Sequence, residues 1–291
     1  MHPILFTIGK YNISSYTVLL DLGLILALVV AYLQGKRVLG SGERSDMAGE
    51  AALDAGLWAI VGGILGGRIG YVLGNLEVFS ENWARALRIW EGGLSFHGAF
   101  LGGLAALILV ACLQSRSAGQ KGVLSYLLKL GDTLTLSLAV GLVFGWIACL
   151  LGGCVYGAMG EGLGYAVLPD LYGVEASRFA TQAVGASFSL ILLAVFWLLR
   201  RRWPFSGAAF LMLLLLYFTG VFFLEFTRGD EAIYLSGWRL AQIVDLALAV
   251  LAGAGLLALW WRARGREEAV EEAEETVEEA EKLEDEISPG L

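Results

Sequence analysis

The chain has 291 residues, of which 57% are hydrophobic and 16% are charged. Soluble domains average about 25% charged residues, so this composition excludes a soluble globular protein and indicates an integral membrane protein. The net charge of −8 is misleading, because residues 267–291 hold 12 of the 28 acidic residues and one of the 20 basic residues.

Seven apolar stretches follow one another along the chain, and each has about the 20 residues that a helix needs to cross a bilayer. They are 15–34, 51–75, 95–114, 130–151, 179–199, 206–226 and 237–261. The predicted fold is therefore an all-α integral membrane protein with about seven transmembrane helices, in a domain of residues 1–264. Paired glycines within the spans, such as Gly66-Gly67 and Gly102-Gly103, favour close helix packing in lipid.

The basic residues of the short loops predict the orientation. One side of the membrane would receive Lys36, Arg37, Arg44, Arg116, Lys121, Lys129, Arg200 to Arg202, Arg262, Arg264 and Arg266. The other side has longer segments in which bases are mixed with acids, including Lys10, Arg85 and Arg88. The positive-inside rule then predicts an outside N-terminus and a cytoplasmic C-terminus.

Residues 265–291 form an acidic tail on the cytoplasmic side of this arrangement. Val270, Ala273, Val277 and Ala280 recur at spacings of three and four residues. This pattern fits either an amphipathic acidic helix or a disordered acidic segment.

His97 is one of two histidines in the chain, and it begins an apolar run within Gly92-Gly93-Leu94-Ser95-Phe96-His97-Gly98. An imidazole at the edge of a span can act as a base near neutral pH. Ionisable residues in spans are costly and mark functional candidates. A histidine that is merely hydrogen-bonded at the membrane interface is the alternative.

The predicted topology brings other polar residues to the depth of His97. Tyr16, Arg68, Cys149, Glu225 and Arg228 all fall near the outer ends of their spans. Arginine suits phosphate, which predicts a site for an anionic phospholipid. Arg68 has the alternative of snorkelling to the interface, and Glu225 and Arg228 have that of pairing at i,i+3. Asp132, at the inner side, is interpreted as a capping or packing carboxylate.

Three cysteines, Cys112, Cys149 and Cys154, are too few for a disulfide framework. Cys149 and Cys154 lack both CxxC spacing and a histidine nearby in sequence. No metal site and no cofactor are expected.

Several motifs together resemble the prolipoprotein diacylglyceryl transferases, in order and spacing, over roughly residues 10 to 260. They are Gly67-Arg68-Ile69-Gly70-Tyr71-Val72-Leu73, the His97 stretch, Gly145-Trp146-Ile147-Ala148-Cys149-Leu150-Leu151-Gly152-Gly153-Cys154-Val155-Tyr156-Gly157, Thr181-Gln182, Leu224-Glu225-Phe226-Thr227-Arg228-Gly229-Asp230 and Ala241-Gln242.

The resemblance implies an enzyme of lipoprotein biosynthesis in the bacterial inner membrane. It would transfer the diacylglyceryl group of phosphatidylglycerol to the thiol of the lipobox cysteine of a preprotein. Its partners would be that lipid, the preproteins and the bilayer, with no nucleic acid. His97 would be the catalytic base or its hydrogen-bonding partner. The substrate would be bound by Tyr16, Arg68, Gly98, Trp146, Cys149, Gly157, Arg178, Glu225 and Arg228.

The chain departs from the family pattern at two functional arginines. The first, in the family motif Gly-Arg-x-Gly-Asn, falls on Trp146, and the second, four residues before the glutamate, falls on Val221. The family's His-Pro-Ser/Thr-Gln reads Phe179-Ala180-Thr181-Gln182. An alternative function follows, that of a non-catalytic relative that binds phospholipid or lipoprotein precursor.

Overall fold

The computed structural model describes residues 4–8, 11–39, 45–80, 82–117 and 122–287. His2, Lys10, Arg44 and Lys121 lie outside these ranges, as do residues 288–291 of the acidic tail. The statements below concern the described residues.

Seven long apolar helices confirm the predicted spans. A short helix, α3, lies between the second and third of them. The helices are α1 (Ser15–Val38), α2 (Ser45–Gly74), α3 (Leu76–Ser80), α4 (Phe96–Ser117), α5 (Val123–Gly152), α6 (Thr181–Leu199), α7 (Ala208–Leu224) and α8 (Leu240–Ile287). In a bilayer each backbone polar group must be satisfied within the chain, which is why apolar runs of this length become helices.

Three short antiparallel hairpins add to the helices, and hydropathy did not predict them. They pair β1 (Ile4–Ile8) with β2 (Tyr11–Ser14), β3 (Tyr165–Pro169) with β4 (Glu175–Phe179), and β5 (Tyr234–Leu235) with β6 (Trp238–Arg239). They precede α1, join α5 to α6 and join α7 to α8, and α3 belongs to the connection from α2 to α4. Because the seven spans alternate in direction, all four segments lie at one end of the bundle, which we call the hairpin end.

Glycines allow α2 and α4 to pack with their backbones in contact. A Cβ built at Gly66 would lie 2.4 Å from the carbonyl oxygen of Gly98, and one at Gly102 would lie 2.2 Å from that of Gly62. Close helix packing was predicted for these paired glycines, and the structure confirms it for Gly62, Gly66 and Gly102. This contact fixes where α4, and with it His97, stands relative to α2.

Asp132 caps α7 at the opposite end of the bundle. Its carboxylate accepts hydrogen bonds from the backbone N–H groups of Gly207 and Phe210, at 2.6 and 3.0 Å. The first N–H groups of a helix have no partner within the helix, so the carboxylate satisfies two of them. The interpretation of Asp132 as a capping residue is confirmed.

The last helix, α8, continues without a break from the seventh span into the acidic tail as far as Ile287. The predicted domain boundary at residues 264/265 therefore falls inside a continuous helix.

Candidate functional site at the hairpin end

The candidate residues come from six separate segments, yet all lie at the hairpin end. Tyr16 and His97 open their helices, and Glu225 follows α7. Arg178 lies on β4 and Arg228 on the connection to β5. Within that end they fall into separate clusters, each with its own partners.

In the part of the chain that the structure describes, the one polar partner of His97 is Asp245 on α8. The ring Nε2 lies 2.8 Å from the Asp245 Oδ1 atom, across 148 residues of sequence. The Asp245 side chain is fully buried, whereas that of His97 is 20% exposed. The rings of Phe96 and Tyr217, 6.1 Å apart, lie beside this pair.

Arg68 is surrounded by backbone carbonyls. Its guanidinium donates five hydrogen bonds, to the carbonyl oxygens of Arg85, Ala86, Arg88, Gly92 and Gly93. The side chain is 6% exposed and stacks over Phe79, so it does not snorkel to the interface. Since a guanidinium has five N–H donors, this geometry favours Arg68 as an organiser of residues 85–93 over direct contact with phosphate.

Glu225, Arg228, Asp230 and Arg239 form one charge-balanced network of two carboxylates and two guanidiniums. Arg228 binds both Glu225 and Asp230, so the pairing at i,i+3 is confirmed. Arg239 lies 3.0 Å from Glu225 and 2.8 Å from Asp230. Burial alone would lower the pKa of Arg228, but the hydrogen bonds and charges of Asp230 and Glu225 raise it above its ordinary value.

Arg178 is buried in a separate cluster. Its guanidinium lies 3.0 Å from Asp170 and 4.6 Å from the centre of the Tyr156 ring. Burial raises the pKa of Tyr156, as do the charges of Asp230 and Asp170, and Arg178 opposes them. Among the described residues the Arg178 Nε atom has no hydrogen-bond partner, so this guanidinium retains a donor.

A short segment after α5 connects these clusters. Gly157 pairs with Arg228 in an isolated β-bridge, and Met159 pairs with Arg178 in another. A Cβ at Gly157 would lie 2.1 Å from the carbonyl oxygen of Phe179, so only glycine fits there. Gly157 therefore acts through the backbone, by letting two strands approach.

Cys149 and Cys154 form a disulfide at the end of α5, which their spacing in the sequence did not indicate. The carbonyl oxygen of Cys154 accepts a hydrogen bond from the Gln182 side chain, at 3.0 Å. Tyr16 packs at the same place, 3.2 Å from a Cβ built at Gly152. The disulfide thus lies between the starts of α1 and α6.

Trp146 and Val221, the two positions at which the resemblance implies a functional arginine, both belong to an apolar core. Trp146 is 8% exposed and Val221 6%, and both are members of the largest buried cluster, with Phe218 and Leu224. Gly98, predicted to bind substrate, lies against the backbone of Gly66 and Gly70 instead. Neither Trp146 nor Gly98 carries a charge to the site.

An apolar cavity of about 230 Å³ opens between α1, α2, α4 and α5. Its wall on α4 begins at Ala99 and Phe100, two and three residues after His97. Alanine, glycine and leucine supply most of its lining, so its contents must be apolar. On α1, α2 and α5 the wall is formed by residues in the middle of the span or towards the end opposite the hairpins, and Phe210 near the start of α7 also lines it. The cavity therefore lies in the interior of the bundle, below His97.

The sequence did not indicate which carboxylates pair with the candidate histidine and arginines. Asp170, Asp230 and Asp245 each bind a candidate residue, and Arg239 binds Glu225 and Asp230. Gln242 and Asp245, three residues apart at the start of α8, lie on one face of that helix, and Arg239 precedes it as the last residue of β6. The three-residue spacing within α8 was the available signal.

Comparison with known proteins identifies the family. The family model described as prolipoprotein diacylglyceryl transferase matches residues 3–261. The chain belongs to this family. The seven apolar helices and the family match together indicate a multi-pass protein of the bacterial inner membrane.

Individual relatives match over nearly their whole length. The phosphatidylglycerol–prolipoprotein diacylglyceryl transferase of Rhizobium meliloti (strain 1021) is 32% identical, over 92% of this chain and 93% of the relative. The proteins of the same name from Azospirillum brasilense and Pseudoalteromonas translucida (strain TAC 125) are 30% and 29% identical. Each covers 92% of this chain and 96% of its own length.

Proposed function

We propose that this protein transfers the diacylglyceryl group of phosphatidylglycerol to the lipobox cysteine of exported preproteins. The family match over residues 3–261 carries the proposal. The hairpin end supports it, since it gathers a histidine and buried arginines from distant parts of the chain.

The proposed reaction is a substitution at the glycerol carbon that bears the phosphate. The lipobox thiol loses its proton to His97, and the thiolate attacks this carbon. A carbon–sulfur bond forms, the carbon–oxygen bond to phosphate breaks, and glycerol phosphate leaves with the electron pair of that bond. The reaction needs a base for the thiol and a cation for the leaving phosphate.

Arg178 is our candidate for contact with the phosphate. The network of Glu225, Arg228, Asp230 and Arg239 is balanced within itself, and Arg68 already donates to five carbonyls. Among the described residues, Arg178 has one carboxylate partner, Asp170, and its Nε–H has no hydrogen-bond partner. The cavity below His97 would receive part of an acyl chain of the donor lipid.

The test uses purified full-length protein, phosphatidylglycerol vesicles and a lipobox peptide. We expect the mass of the peptide to increase by one diacylglyceryl group. One glycerol phosphate should be released for each modified peptide. A peptide with serine in place of cysteine and vesicles of phosphatidylcholine are the controls. His97→Gln should abolish transfer, and wild-type activity in that variant would contradict the role of His97 as base.

A non-catalytic relative is the second candidate, favoured by the apolar packing of Trp146 and Val221. It predicts that wild type binds phosphatidylglycerol and lipobox peptide but releases no glycerol phosphate. Complementation of a strain depleted of its own transferase separates the two candidates in cells, because binding without transfer does not restore growth.

We further propose that the hairpin end faces outwards and that the acidic tail is cytoplasmic. Lys36, Arg37, Arg200 and the basic residues after Trp261 all lie at the opposite end, as the positive-inside rule requires. A fluorescent reporter fused after residue 265 should fold in the cytoplasm. Alkaline phosphatase inserted after Glu161, between α5 and β3, should be active. The reverse pattern would contradict the orientation.

The acidic tail is proposed to be dispensable for folding of the membrane domain, because its composition offers little apolar surface to bury. Truncation after residue 266 should leave the yield of folded, membrane-inserted protein unchanged. Loss of that protein would show that the tail docks.

A further inference from the structure

Asp245 is a fully buried carboxylate inside a membrane span, and its single hydrogen-bond partner in the described part of the chain is His97. Burying a carboxylate in a membrane span costs free energy, so other contacts of the fold must offset that cost. Its second oxygen, Oδ2, has no hydrogen-bond partner among the described residues. The compensation therefore comes through the 2.8 Å contact with the imidazole.

The neighbouring arginines do not offer an alternative partner. Arg239 ends β6, directly before α8, but Glu225 and Asp230 both bind it. Arg228 is bound by the same two carboxylates. Since this network already contains as many acids as bases, it leaves no cation over for Asp245.

The contact has a consequence for the tautomer of the imidazole. An ionised carboxylate only accepts hydrogen bonds, so the proton between the two groups belongs to Nε2. The neutral ring then carries no proton on Nδ1. Nδ1 has no hydrogen-bond partner among the described residues, and the side chain is partly exposed. Nδ1 is therefore the nitrogen that can accept a proton.

We propose that Asp245 is a positioning residue, which holds His97 as the Nε2–H tautomer so that Nδ1 takes the proton of the lipobox thiol. This inference rests on the proposed function, in which His97 is the base. As the proton moves from sulfur to Nδ1, the ring becomes an imidazolium, and the adjacent carboxylate stabilises that charge. The imidazolium then donates this proton to the departing glycerol phosphate.

The chain offers a direct readout of the tautomer because it contains only two histidines. In a His2→Gln background, uniform ¹⁵N-histidine labelling reports His97 alone. We expect the nitrogen spectrum of the full-length protein in nanodiscs, at a pH where the ring is neutral, to show a protonated Nε2 and an unprotonated Nδ1. In Asp245→Asn a mixture of both tautomers should appear, because an amide can donate as well as accept.

Asp132→Asn is the matched control. It also removes a carboxylate from a span, but one that caps α7 at the other end of the bundle. It should lower thermal stability without changing the His97 spectrum. If Asp245→Asn is not recovered in folded form, Asp245→Ser provides the second neutral variant.

Transfer kinetics complete the test. Asp245→Asn should lower kcat by about 100-fold, within the range of general-base contributions, and leave the KM for the peptide little changed. An unchanged tautomer in Asp245→Asn would overturn the inference, and so would an unchanged kcat. Failure of the proposed function gives a different result: either the wild type is inactive, or His97→Gln is fully active. The catalytic part of the inference falls with either result.

Discussion

The indole of Trp146 on α5 lies directly against the backbone of Gly185 on α6. A Cβ built at Gly185 would be 2.4 Å from the indole ring, closer than any ordinary van der Waals contact. The ring fills the space that the missing side chain leaves, and it does so within the same core as Val221. Trp146 and Val221, where the resemblance implies arginines, thus both lie in a hydrophobic interface between helices.

Gly185→Ala should therefore destabilise the protein through Trp146. Overpacking a well-filled core costs about 1 to 3 kcal/mol, which should lower the midpoint of thermal unfolding in detergent. Gly145→Ala is the matched control, because a Cβ at Gly145 meets nothing within 4 Å. Combining Gly185→Ala with Trp146→Ala should recover part of the loss. Equal midpoints for the two glycine variants would show that the indole moves aside freely.

Hydropathy predicted the seven spans because a bilayer demands long apolar helices, whatever their partners. Glycine pairs predicted close helix packing for a similar local reason, since small residues alone permit that approach, but they did not indicate that α2 and α4 are the partners. Pairings such as His97 with Asp245 or Cys149 with Cys154 depend on how each helix is rotated and where each loop returns. Neither quantity is encoded in the spacing of apolar residues, so the partners of the candidate site emerged only from the fold.

Arg68 should be replaceable neither by alanine nor by lysine. An ammonium has three donors on a single atom and cannot serve the five carbonyls that the guanidinium reaches. In Arg68→Lys the amide hydrogens of residues 82–93 should exchange faster, as measured by hydrogen–deuterium exchange with mass spectrometry. Arg200→Lys is the control, because that guanidinium donates to one carbonyl at the other end of the bundle. Unchanged exchange in Arg68→Lys would mean that the loop is held by other contacts.

The disulfide predicts a fixed pattern of thiol labelling. Of the three cysteines, Cys112 is free and the other two are bonded. Denatured but unreduced protein should therefore take up one maleimide group, and reduced protein three. Cys149→Ser should release Cys154 and raise the unreduced count to two, as read by intact mass. Three labels on denatured protein that was purified and kept without reducing agent would rule out the bond.

Glu225 should be required for the charge balance of its network. Glu225→Gln leaves the guanidiniums of Arg228 and Arg239 with one carboxylate, Asp230, and breaking a buried ion pair from one side costs about 3 to 5 kcal/mol. The double variant Glu225→Gln with Arg239→Gln restores the balance between Arg228 and Asp230. It should unfold at a higher temperature than Glu225→Gln alone, although it lacks one more native side chain.

The comparison is made by thermal unfolding of the purified protein, with Glu161→Gln as the control, since Glu161 is exposed between α5 and β3. That control should unfold like wild type. If Glu225 and Arg239 acted independently, their losses would add, and the double variant would be at least as destabilised as Glu225→Gln alone. Such additivity would contradict a shared network, whereas partial recovery means that Glu225 and Arg239 stabilise the fold through each other.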